Sequence, residues 1–283
     1  MKISLFVIII FFTASEAFCG VKKKEPNLFI FSIGINDYKY PFVRLENCIS
    51  DTERITQKLI EDFRSHWAKE PVSPPKITTF TLTGQEATYS SIKSVFDSIS
   101  EISGPNDYFV FFFAGFTVED RLTLETVMIP YTKQYTDSFP YTPDAISLNM
   151  LSKWMEPVQC QRQLIISEAG YGKTFGMNLI RYMFEADPIL ASDNSRERII
   201  ITTNGIGLDV HNCTSRVLEP GGPLVYFLLQ IDDIFRIFHQ HSKFEYDLMR
   251  IELECNMEYQ EIYSKIFYEK EAVVYYCDDI SSL

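Results

Sequence analysis

The chain has 283 residues, a formal net charge of −12 and 46% hydrophobic residues, with aromatics at 14%. That apolar content excludes a disordered chain, and the negative charge argues against nucleic acid as a partner, because its phosphates would be repelled. The length suits one sizeable α/β domain or two small ones.

Met1-Lys2, the apolar run from Ile3 to about Thr13 and the small residues Ser15 and Ala17 have the layout of a secretory signal peptide over residues 1–17. Residues 18–283 would then form one domain of a secreted or periplasmic protein. The run is short for a bilayer span. An uncleaved anchor is one alternative, and a lipoprotein on Cys19 is another, which the bulky Phe18 fits poorly. Cleavage after Ala17 keeps all six cysteines (Cys19, Cys48, Cys160, Cys213, Cys255, Cys277), an even set that suits disulfides in an oxidising compartment. Their wide spacing suggests no zinc site, and no cofactor is expected. Cys48, after a helix-start signal, reads as a small buried hydrophobe. Asn212-Cys213-Thr214 is the one glycosylation sequon.

In chain order, Asn27 to Ile35 predicts a buried parallel strand. Asn47 to Arg64 has apolar residues at helical spacing, with Asn47 or Ser50 as cap. Lys76 to Thr83 alternates as a strand, Thr88 to Ile102 repeats the helical pattern, and Asp107 to Ala114 is again a strand. A short strand at Val127 to Pro130 precedes a helix from Ser147 to Met155. A strand at Leu164 to Ser167, a helix at Phe175 to Phe184 and a strand at Arg198 to Thr203 follow. Gly221 to Phe238 predicts a mostly helical stretch and Ala272 to Tyr276 a last strand. Strand and helix alternate almost throughout, which predicts a parallel sheet with helices on both faces.

Several segments in this order resemble the caspase-like (peptidase C14, metacaspase-type) family. Phe31 to Lys39 is similar to its first strand and turn, and Leu45 to Asp51 to the start of its first helix. Asp107 to Gly115 is similar to its base-bearing strand, Met128 to Pro130 to its next short strand, and Gln163 to Phe175 to its nucleophile-bearing strand and turn. The resemblance covers nearly all of Asn27 to Tyr276. The two turns lie about 50 residues apart, the separation of His and Cys in caspases. It implies a caspase-like three-layer sandwich with a mostly parallel six-stranded sheet, and cysteine endopeptidase ancestry.

The chemistry of that family is missing from its positions. Its Gly-His-Gly turn reads Gly115-Phe116-Thr117, and its Asp-Ala-Cys turn reads Glu168-Ala169-Gly170. The reaction needs a thiolate activated by an imidazole. Phe116 moves no proton, and neither Gly170 nor, in a shifted register, Ala169 can attack a carbonyl. No cysteine lies between Cys160 and Cys213, and Cys160 precedes its strand, at the wrong end of the sheet. The resemblance therefore implies an inactive pseudopeptidase that works by binding a protein or peptide, such as an active relative. One alternative is a peptidase with relocated groups, such as Cys213 with His211. A second is a phosphate loop through Gly172-Lys173-Thr174, with Ser167 in place of the first glycine. Glu168, Tyr171, Arg44 and Asp209 are the candidate binding residues, with Phe116, Tyr171 and Tyr131 as a possible apolar lining. The last strand, followed by Asp278-Asp279, is read as an edge for partner docking, and the chain is expected to be a monomer.

Overall fold

A computed structural model of the chain describes residues 25–38, 44–68, 75–119, 125–132, 144–170, 172–186, 197–203, 222–240 and 264–268. Residues 1–17, read as a signal peptide, Tyr171, Asp209, His211, Cys213, the sequon at Asn212 and the strand expected at Ala272 to Tyr276 lie outside them.

Strands β1 (Leu28–Gly34), β2 (Ile77–Thr83), β3 (Tyr108–Gly115), β7 (Arg162–Ala169) and β8 (Glu197–Thr203) run parallel, and β9 (Ser264–Tyr268) closes the sheet antiparallel to β8. The order across the sheet is β2-β1-β3-β7-β8-β9. The expected α/β three-layer architecture is therefore the observed one. β9 lies upstream of Ala272 to Tyr276, the strand expected from sequence, which falls outside the described residues.

Sequence alone accounts for the central strands. β1 and β3 are buried at every position, because helices cover both faces and leave no side for water. Even-numbered residues of β3 face one layer: Tyr108 packs edge-on to Phe63 of helix α1 (Cys48–Trp67) and to Phe235. Odd-numbered ones face the other, where Phe109 and Phe111 meet Phe96 of helix α2 (Tyr89–Ile102). The first layer contains α1, helix α5 (Pro223–Gln230) and a 3-10 turn at Ile234–Phe238. The second contains α2, α3 (Leu148–Met155) and α4 (Gly172–Ala186).

Caps follow the sequence at two helices. Thr88 Oγ1 accepts from Ser91 N at 3.2 Å, and Ser147 Oγ accepts from Met150 N at 3.2 Å. At α1 the expected caps are not used. Asn47 has helical backbone angles and makes no side-chain cap bond. Asn36, in the loop after β1, reaches across instead: its Oδ1 accepts from Ile49 N at 3.0 Å and its Nδ2 donates to Glu46 O at 3.0 Å. The predicted helix from Gly221 to Phe238 is two pieces. Ile231–Asp233 leaves helical geometry, and Asp233 Oδ1 then accepts from Phe235 N at 2.9 Å to start the 3-10 turn. The short strand near Val127 belongs to a small antiparallel sheet of β4 (Thr117–Glu119), β5 (Thr126–Met128) and β6 (Ile146–Ser147).

Candidate functional site

Parallel sheets of this kind gather functional groups at the carboxyl ends of their strands. Register brings Gly34 of β1, Ala114 of β3 and Glu168 of β7 side by side on the α1/α5 face. Gly115 and Ala169 are neighbours one residue further on and point to the opposite face. The two turns singled out by sequence are thus adjacent in space.

These turns are filled by the protein itself. Phe116 is 2% exposed and packs edge-on against Tyr38, with centroids 4.9 Å apart. The Tyr38 hydroxyl accepts from Phe116 N at 3.1 Å and donates to Ile129 O at 3.1 Å, tying the loop after β1 to both chain segments. A side chain at Gly115 would collide with that hydroxyl and with the Phe113 ring. Thr117 Oγ1 donates to Gly170 O, which stitches the first turn to the second. Ala169 and Gly170 are buried. Tyr131 is buried too, its backbone N–H bonded to Ala87 O at 2.8 Å.

On the α1/α5 face the situation is different. Glu168 is 3% exposed and Asp51, in the first turn of α1, is 1% exposed. Both carboxylates meet the amino end of α5, where helix N–H groups have no partner within the helix. Gly222 N donates to Asp51 Oδ2 at 2.7 Å, and Val225 N donates to Glu168 Oε2 at 3.0 Å, with Leu224 N as a further donor to Glu168. Pro223 at the first helical position and Gly222 as cap suit this end. Gly222 also has a steric reason, since a Cβ there would overlap the Glu168 side chain.

Burial of two like charges sets the electrostatics. Burial, and then the Asp51 charge, push Glu168 up to about 8 against the pull of the α5 N–H groups. Burial pushes Asp51 up to about 6, opposed by Gly222 N–H and by Arg54, whose Nη1 lies 3.9 Å from Asp51 Oδ1. That oxygen is buried without a hydrogen bond. Cys48, the first residue of α1, is buried beside the pair. Burial, reinforced by Asp51 and Glu168, raises its thiol far above the ordinary value. A thiol so placed stays protonated and is a poor nucleophile.

The other sequence candidates do not join this cluster. Arg44 forms a surface ion pair with Asp37, Nε to Oδ1 at 2.9 Å, and both side chains are largely exposed. Cys160 is buried before β7, at the amino end of the sheet as expected. His66 and His239 stack at 5.4 Å, and His66 Nδ1 lies 3.0 Å from Asp233 Oδ2. This group adjoins Trp67, which packs on Tyr108 at the start of β3, so it sits at the end of the sheet remote from Phe116. For the phosphate-loop alternative, β7 runs through Ser167, Glu168 and Ala169, and only Gly170 and Tyr171 separate it from α4. A cradle of successive free N–H groups has no length there, and Ser167 is buried inside a strand. Among the described residues no group of three or more His, Cys, Asp or Glu could hold a metal ion, and no helix is long and apolar enough to cross a membrane.

Sequence reasoning singled out Glu168 but not its partners. Asp51 was visible as an acidic residue in a helix's first turn, and Gly221-Gly222-Pro223 as a helix start. Nothing local links either to Glu168. Tyr38 was visible only as a turn residue.

The fold is shared with protein GSU0716 from Geobacter sulfurreducens, a crystal structure to which this chain is 12% identical. The TM-score is 0.52, over 86% of this chain and 93% of that one. At that identity the likeness is one of fold. No family model matches the chain, and no curated protein matches it.

Proposed function

We propose that this chain is a caspase-like protein without peptidase chemistry, which acts outside the cytoplasm by binding a protein or peptide, such as an active relative. The observation that carries the reading is the state of the two turns. Where a base and a nucleophile would stand, Phe116, Ala169 and Gly170 are buried and hydrogen-bonded into the scaffold. The protonated thiol of Cys48 supports it further, because the described cysteine beside the Asp51/Glu168 cluster is held in its unreactive form. Binding is left as the role for a framework preserved without its reaction.

The test is a peptidase assay of the purified protein against a broad peptide library. No cleavage is expected. Cleavage that survives stringent purification and disappears on Cys213→Ser or His211→Ala would replace this reading with a peptidase of relocated groups. Restoring the family pair with Phe116→His and Gly170→Cys should give feeble activity at best, because Phe116 and Gly170 now serve packing rather than approach geometry.

A further inference from the structure

β2 is an edge strand whose outer side is unpaired among the described residues. Leu28 N donates to Lys76 O at 2.9 Å, and Leu28 lies opposite Ile77. In a parallel ladder that register turns the backbone groups of Thr78, Phe80 and Leu82 toward β1. The N–H and C=O groups of Ile77, Thr79, Thr81 and Thr83 then point outward. Thr79 and Thr81 are exposed, and the other residues of the strand are partly so.

Edge strands are commonly guarded by charge, proline or bulges. β2 has none of the first two: Ile77-Thr-Thr-Phe-Thr-Leu-Thr83 contains neither a charged residue nor proline, and five of its residues are β-branched. Such a strand is a template for strand addition.

We propose that the outer edge of β2 pairs antiparallel with β2 of a second copy of this chain, forming a two-fold dimer with a sheet continuous across both. Self-pairing fits for three reasons. The outward residues are symmetric about Phe80, so a two-fold axis at Phe80 sets outward groups against outward groups along the whole strand. Ile77 then faces Thr83 and Thr79 faces Thr81 as hydrogen-bonded pairs, while Phe80 meets its own copy at the closer, non-hydrogen-bonded spacing. Shifting the register shortens the pairing.

Charge is the second reason. The chain has a net charge of −12, yet this strand brings no like charges together. The exposed Lys76 of each copy is set beside the partner's Gly84–Glu86 turn, whose Glu86 is exposed. The third is selectivity. A row of threonines offers a foreign strand no charged or deep feature to select it, whereas the match with itself is built in. The monomer expected from sequence rests on the other edge of the sheet and leaves this one out of account.

Light scattering of the purified protein over a wide concentration range tests the dimer. Twice the chain mass is expected. Thr81→Pro should reduce it to the single mass with little change in melting temperature, because the N–H it removes faces outward and not toward β1. Thr79→Lys with Thr81→Lys should also abolish the dimer, and Thr79→Lys with Thr81→Glu should restore it, since each lysine then meets a glutamate of the other copy. A wild-type protein of single mass at every concentration would overturn the proposal. So would a dimer that survives Thr81→Pro and the lysine pair, or one that the opposite-charge pair fails to restore.

Discussion

Around Phe116 the polar groups are neutral and matched. The Tyr38 hydroxyl, Phe116 N, Ile129 O, the Thr117 hydroxyl and Gly170 O satisfy one another. Around Glu168, close by on the α1/α5 face, the groups are acidic, buried and incompletely matched, with Asp51 Oδ1 lacking a hydrogen bond. A caspase-like peptidase would hold its acid–base capacity in the first region. Here the buried carboxyls Glu168 and Asp51 sit in the second, where they bond the amino end of α5. Two adjoining regions at the carboxyl ends of the same strands thus differ in which groups can change protonation.

The contrast is most exposed to pH. Glu168 and Asp51 both have native values raised above the ordinary carboxylate range, to about 8 and about 6. The native state therefore holds their protons more tightly than the unfolded chain. Their contribution is fully present below about pH 4 and is lost as pH rises toward 8. Melting temperature should fall between pH 5 and 8, over a range worth roughly a few kcal/mol. Asp51→Asn with Glu168→Gln should flatten that slope. A wild-type slope that matches the double variant's would mean that the two carboxyls do not share buried ground.

A steric probe of the same region comes next in size. Gly222→Val should cost about 3 kcal/mol, since its Cβ overlaps a buried Glu168 side chain held by two N–H groups. Chemical denaturation would read it, and an unchanged midpoint would show that α5 does not sit on Glu168. In the neutral region, Tyr38→Phe should cost about 2 kcal/mol by stranding a buried N–H and a buried C=O. A loss much below that would mean the Phe116 turn is not anchored there. Smallest is Arg44→Ala, whose exposed pair with Asp37 should change stability by less than about 0.5 kcal/mol. A larger loss would give Arg44 a structural part that its exposure denies it.

How far sequence foresaw this follows from element length and from contact range. β1, β3, β7 and β8 were legible because buried parallel strands are nearly continuous apolar runs. The helical patterns starting at Thr88 and Ser147 were legible, and those two residues cap α2 and α3. The small sheet of β4, β5 and β6 was mostly illegible, because strands of two or three residues have no period to detect. At the end of the chain β9, Ser-Lys-Ile-Phe-Tyr, went unread, because two polar residues open a run of only five. The cap of α1 by Asn36 and the meeting of Asp51, Glu168 and Gly222 are tertiary events between distant segments, which no local pattern encodes. That Phe116, Ala169 and Gly170 stand at the two turns with neither imidazole nor thiol, by contrast, could be read residue by residue.

Thiol labelling of the native protein, mapped by mass spectrometry from neutral to mildly alkaline pH, tests most directly whether the carboxyl end of this sheet is free of thiolate chemistry. Cys48, buried beside two acidic groups that raise its thiol, should resist alkylation until denaturant unfolds the chain, and buried Cys160 should behave alike. Rapid labelling of Cys48 at neutral pH, in protein that remains folded, would contradict the account by placing a reactive thiolate beside Asp51 and Glu168.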